Sequence, residues 1–215
     1  MSTRRVAAFD FDGTLTRRDT LVPFLVRACG ARAVARAAST IAPVAARARL
    51  GRLTDDVHHR DATKVALLDA LLRGRDAAWL ADAGERFAAT LARRLRPEMA
   101  DQAQWHRSLG HELVIVSASL AVYLEPFART AGFDHVIAVE LETTPEGRLT
   151  GALRGPNVRG PEKAVRLREW LGATPDFLWA YGNSAGDAEL LAMAQMPVWV
   201  AGRGRMARQA LPAAT

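Results

Sequence analysis

The chain has one cysteine, two lysines and two tyrosines among its 215 residues. A lone Cys29 excludes an internal disulfide and suits a reducing compartment, so the expected location is the cytoplasm. No stretch of about 18 uncharged apolar residues occurs, which excludes a membrane-spanning helix. The first apolar run is short and ends at Asp10, so no signal peptide is expected. Aromatic residues make up 7% of the chain and none interleave with a basic stretch, which argues against nucleic-acid binding. Internal repeats and low-complexity linkers are also missing.

What is there fits a globular protein. Apolar residues account for 49% and charged residues for 24%, and the length suits one domain or a core with an insert. The formal charge is +6. That balance favours anionic ligands such as phosphates and leaves peripheral contact with an anionic membrane surface open. Of the 29 basic residues, 27 are Arg. Where Arg is the default cation, the two lysines, Lys64 and Lys163, stand out, because Lys offers a compact point charge and not a planar fork.

The chain begins with a strand pattern, Arg5-Val6-Ala7-Ala8-Phe9, which ends in Asp10-Phe11-Asp12-Gly13. Asp is disfavoured inside strands, so two of them at a strand end call for a reason. From residue 21 to about 96 the sequence is rich in Ala, Arg and Leu and reads as helical. Asp19 and Thr20 offer an N-cap, Gly30 a helix end, and Pro43 a kink or break. Ala37 to Ala46 is uncharged, read as a packed helix before a lipid-touching one. His58 and His59 are adjacent and cannot share a helix face, so they read as exposed and not as metal ligands. From Pro97 onward strands alternate with helices: strands at 112–117, 136–139, 177–181 and 198–200, helices at 98–109, 121–131, 161–171 and 187–194, with a hairpin over 140–153. This pattern predicts an α/β fold with a doubly wound parallel sheet. Residues 1–20 and 97–215 form its core, and 21–96 an inserted helical domain. The last five residues are expected to be loose. Oligomeric state is not readable.

Polar groups recur at the strand ends: Asp10 and Asp12 after the first, Ser117 after the second, Asn183 and Asp187 after the 177–181 strand. Lys163 opens a helix beside them. In order and spacing these groups resemble the four motifs of the haloacid dehalogenase superfamily, whose first motif matches Asp10-Phe11-Asp12-Gly13-Thr14-Leu15-Thr16. The likeness covers the whole chain, and the insert is similar to the cap of the phosphoserine phosphatase-like branch, subfamily IB.

The resemblance implies a Mg²⁺-dependent phosphomonoester phosphatase on a small or lipid-linked phosphate. It makes Asp10 the nucleophile and Asp12 the general acid and base, with the Asp12 carbonyl also on Mg²⁺. Ser117 would bond a phosphoryl oxygen and Lys163 neutralise the charge. Backbone N–H groups near Gly13 and Ala118-Ser119 would complete a phosphate cradle. Asp10, Asp12, Asn183 and Asp187 would hold the metal. The fourth motif usually reads Gly-Asp-x-x-x-Asp, whereas Asn183 follows Gly182 here, so weaker metal binding is expected. Asp19 and Lys64 occupy the positions where phosphoserine phosphatases carry a Glu and an Arg for the substrate. Lys is no faithful substitute for an Arg fork, which argues against phosphoserine as the main substrate. Two other readings stand beside this one. The first is a phosphotransferase with an alcohol acceptor, the second a catalytically weak phosphate-binding regulatory domain.

Overall fold

A computed structural model describes residues 4–51, 56–201 and 206–208. In chain order, β1 (Arg5–Phe9) leads through a tight turn into the helices α1 (Leu21–Cys29), α2 (Ala31–Gly51), α3 (Asp56–Leu72) and α4 (Ala77–Leu91). Then come α5 (Pro97–Ser108), β2 (Glu112–Leu120), α6 (Ala121–Ala131), β3 (His135–Val139) and a hairpin of β4 (Leu141–Thr143) and β5 (Leu149–Leu153). The chain closes with α7 (Pro161–Leu171), β6 (Phe177–Gly182), α8 (Ala188–Ala192), β7 (Met196–Val200) and β8 (Met206–Arg208).

The main sheet has the order β3-β2-β1-β6-β7-β8. Its first five strands run parallel and β8 is antiparallel at the edge. Val6, Ala7, Ala8 and Phe9 are all fully buried, as expected for a central strand covered on both faces. The chain leaves β1 toward β2 and β3, then crosses back to β6 on the other side. The order therefore reverses at β1, and the C-terminal edge beside such a reversal is where open α/β sheets bind ligands. Asp10 ends β1 there, with its backbone N–H bonded to the Tyr181 carbonyl of β6 at 2.9 Å.

Aromatic packing fixes the sheet to its surroundings. Phe9 stacks on Tyr181 with centroids 4.4 Å apart. On the helical side, Phe24 of α1, Phe87 of α4 and Tyr123 of α6 form a buried triangle with centroids 4.9–5.4 Å apart. Burial of each such ring contributes roughly 1.5–3 kcal/mol. The helices α4 and α6 approach closely because Gly84 has no side chain, and a Cβ there would lie 2.1 Å from the Val122 carbonyl oxygen.

The structure refines the sequence reading in three places. The helix α2 is continuous from Ala31 to Gly51 across Pro43, which rules out the break among the two alternatives of a kink or a break. One missing N–H is tolerated in so long a helix. The strand β2 runs three residues past Ser117, and an edge strand, β8, follows the strand expected to be last. The side chains of His58 and His59 and the last five residues lie outside the described residues.

Candidate active site

The turn after β1 brings the first motif to the sheet edge. Gly13 adopts φ +86°, a conformation that side-chain-bearing residues rarely take. A Cβ there would also lie 2.1 Å from Asn183 Nδ2, so the two motif loops meet at this glycine. A cavity of about 340 Å³ opens at the edge. Its walls include Asp10, Asp12, Gly13, Asp19, Ser117, Ala118, Arg159, Lys163, Asn183 and Asp187.

At its floor Lys163 Nζ donates to Asp10 Oδ1 and to Asp187 Oδ1, each at 2.6 Å. All three residues are buried, with exposures of 2% for Lys163, 6% for Asp10 and 1% for Asp187. Burial pulls the Lys163 amine down, but the two carboxylates outweigh it and hold the amine charged. Burial pushes Asp187 up, yet Lys163 and the donors of its own loop hold it below the ordinary range. Asp10 is raised, chiefly by burial, with Lys163 opposing and Asp187 adding to the rise.

Asp12 is held from two sides. Its Oδ1 accepts from the Thr20 hydroxyl at 2.7 Å and its Oδ2 from the Ser119 hydroxyl. Burial raises its pKa to about 7, and nearby Asp19 adds to this against the pull of the two hydroxyls. A carboxyl poised near neutrality suits proton transfer in both directions. Thr20 is itself 3.1 Å from the Tyr123 hydroxyl, so the aromatic triangle supports the acid.

The other expected site groups already have partners within the protein. Both oxygens of Asp187 are occupied. Its Oδ1 meets Lys163, and its Oδ2 accepts from the backbone N–H groups of Asn183 and Ser184 and from the Ser184 hydroxyl. It fastens the loop and orients the lysine, and Oδ1 keeps a second lone pair beside its bond to Lys163. The Ser119 backbone N–H bonds Ser117 Oγ at 3.1 Å, which fixes the turn at the end of this strand segment. Ser117 Oγ keeps its own hydrogen to donate. Asp19 Oδ1 caps α1 by accepting from Leu21 and Val22 N–H at 3.0 and 3.4 Å. Lys64, from α3, reaches the Ala118 carbonyl at 2.5 Å and Asn157 Oδ1 at 2.7 Å. Asn157 in turn donates to Asp61 at 2.7 Å. Burial lowers Lys64 to about 8, against the upward pull of Asp61, Asp12 and Asp19. Lys64 thus latches the insert to the sheet edge.

Two arginines were missed by the sequence reading. Arg96 is buried and donates from Nε to the Gly13 carbonyl at 3.1 Å, which pins the first motif. Arg159 lines the cavity. Among 27 arginines, nothing in the sequence marks either one.

The oxygen donors at the edge fit a hard divalent cation. The Asp10 carboxylate, the Asp12 backbone carbonyl and the Asn183 amide oxygen are all of the kind Mg²⁺ prefers. Thr14 donates to Asn183 Oδ1 at 3.3 Å, which ties the first motif to the fourth. Among the described residues no three His, Cys, Asp or Glu side chains gather as a metal site.

Comparison with known proteins places these groups in context. The family model for haloacid dehalogenase-like hydrolases matches residues 7–192. Protein CicA of Caulobacter vibrioides is 34% identical over 206 residues, covering 94% of this chain and 88% of CicA. Phosphoserine phosphatase SerB2 of Mycobacterium tuberculosis is 30% identical over 201 residues, covering 91% of this chain and 44% of SerB2. A substrate-bound phosphoserine phosphatase structure shares the fold with a TM-score of 0.60 at 17% identity, over 94% of this chain and 87% of that one. With the family model spanning both halves of the sheet and every motif loop, the chain belongs to the haloacid dehalogenase-like hydrolase family.

Proposed function

We propose that this hydrolase is a phosphatase that cleaves phosphomonoesters through an aspartyl-phosphate on Asp10, with Mg²⁺ as its cofactor. The observation that carries the reading is the buried Asp10–Lys163 pair at the cavity floor, with Asp12 two positions on and tethered by Thr20 and Ser119. The kinship with SerB2 supports the reaction class.

A phosphate monoester repels an attacking carboxylate, so cations must offset that charge. Lys163 supplies one at the nucleophile itself. Asp10, the Asp12 carbonyl and Asn183 would hold Mg²⁺, which when bound would supply the remaining positive charge. An Asp10 oxygen attacks phosphorus as the ester P–O bond breaks, and Asp12 gives its proton to the leaving alkoxide oxygen. Asp12, now a carboxylate, takes a proton from water. That water's oxygen attacks the phosphorus on Asp10, releasing phosphate and restoring the carboxylate. Ser117 donates its hydroxyl hydrogen to a phosphoryl oxygen. The helices of residues 21–96 serve as the cap, latched through Lys64.

Release of phosphate from p-nitrophenyl phosphate with Mg²⁺ tests this. The Asp10→Asn variant is expected to lose at least about three orders of magnitude in rate, the scale of losing a nucleophile. Turnover surviving the change would remove Asp10 from its role.

A further inference from the structure

The latch made by Lys64 leaves the cavity with a different free cation. Lys64 gives two of its three donors to the Ala118 carbonyl and Asn157. Lys163 gives two of its own to the carboxylates of Asp10 and Asp187. Arg159 also lines the cavity, yet its guanidinium makes no hydrogen bond or ion pair among the described residues, and its Nε is buried without a partner. A buried donor left unsatisfied costs free energy and calls for an explanation.

Its position is fixed from below. The backbone N–H of Gly160 bonds the Gly186 carbonyl at 2.9 Å, which ties the loop carrying Arg159 to the loop carrying Asn183 and Asp187. Gly186 makes room for the side chain, since a Cβ there would lie 3.2 Å from Arg159 Nε and 3.3 Å from its Cγ. The stem therefore lies across Gly186 at the edge of the reaction site. A planar, permanently charged fork held there matches an oxyanion with two oxygens.

We infer that Arg159 is the specificity-determining residue of this site, and that it selects phosphomonoesters bearing a second oxyanion, a carboxylate or a phosphate, on the leaving group. The inference rests on the phosphatase reading above and names its substrate class. It differs from the expectation for Lys64, whose amine is already engaged.

The test compares kcat/KM within two pairs of esters in the presence of Mg²⁺. One pair is 3-phosphoglycerate against glycerol 3-phosphate, which isolates a carboxylate. The other is fructose 1,6-bisphosphate against fructose 1-phosphate, which isolates a phosphate. The unaltered protein should favour the ester with the extra oxyanion by tenfold or more in at least one pair, and the pair that shows it identifies the group. In Arg159→Ala that preference should fall to within about twofold of unity, and Arg159→Lys should recover part of it. A tenfold ratio corresponds to about 1.4 kcal/mol. No preference in either pair, or a preference that survives in Arg159→Ala, overturns the inference. So does an equal loss on all four esters, which would put Arg159 on the transferred phosphoryl group. In those outcomes the phosphatase reading stands. Turnover of none of the four esters, nor of p-nitrophenyl phosphate, removes that reading and this inference together.

Discussion

Replacing Lys163 with Met should be among the most costly single changes in this protein, and the geometry says how the cost arises. The amine is buried and is 2.6 Å from one oxygen of each of Asp10 and Asp187. Those two oxygens can therefore be no farther apart than twice that distance. At about 5 Å and an effective dielectric of about 20, two unpaired carboxylates repel by about 3 kcal/mol. Removing one partner of a buried ion pair typically costs about 3–5 kcal/mol, and the repulsion is part of that sum. Lys163→Met is thus expected to lose about 3–5 kcal/mol of folding stability, read from urea unfolding with a chelator present so that only the chain's own charges count. Asp187→Asn should be milder, because the amide oxygen can still accept from Ser184. The decisive quantity is the double variant. With one carboxylate neutralised, Lys163→Met loses its main penalty, so the double variant should be at least about 1 kcal/mol more stable than the two single costs added together. Strictly additive costs would refute the claim that this lysine is retained to hold two buried acids.

The same geometry sets three further outcomes. Gly84→Ala forces a Cβ against the Val122 carbonyl oxygen and should destabilise the packing of α4 on α6 by roughly 1–3 kcal/mol; an unchanged thermal midpoint would contradict the close approach. His106 is buried, with Nδ1 2.8 Å from His111 Nδ1 and Nε2 2.7 Å from the Tyr181 hydroxyl, and burial with neighbouring His111 lowers it to about 4. Its unfolded value is near 6.5, so its neutral form supports the fold above that pH. The support should fade as pH falls from about 6.5 to 4, by about 3 kcal/mol at most. His106→Gln should flatten that part of the stability–pH curve, and an unaltered slope would place the titration elsewhere. Asn183→Asp restores a charge among the oxygen donors and should tighten Mg²⁺ binding in a metal titration; unchanged or weaker affinity would tell against Asn183 as a ligand.

The parts of this molecule written in local pattern were legible in the sequence. The strand before Asp10, the helix over 121–131 and the helix ending at residue 171 are set by apolar period and by Gly and Pro at their ends. Alternation from Pro97 onward fixed the parallel sheet, and with it the meeting of Asp10, Ser117, Lys163 and Asn183 at one edge. The rest depends on contacts between distant segments. Thr20, Ser119 and Tyr123 brace Asp12 from three separate elements, and no spacing rule joins them. Lys64 could be singled out by its rarity, but its true partners, the Ala118 carbonyl and Asn157, lie 54 and 93 residues away. Asp187 stands at the motif's position, yet a loop that satisfies both its oxygens can be seen only in three dimensions. The edge strand β8 and the buried Arg96 are likewise products of tertiary packing that local propensity does not encode.

The most direct test of the account is to catch the phosphoryl group on its acceptor. The protein would be mixed with a turning-over phosphomonoester and Mg²⁺, quenched in acid within milliseconds, and digested for peptide mass analysis. Phosphate should appear on the peptide containing Asp10, on that side chain and not on Asp12, and be lost from the Asp10→Asn variant. Steady turnover with no phosphate on Asp10, or phosphate found on another residue, would contradict the account.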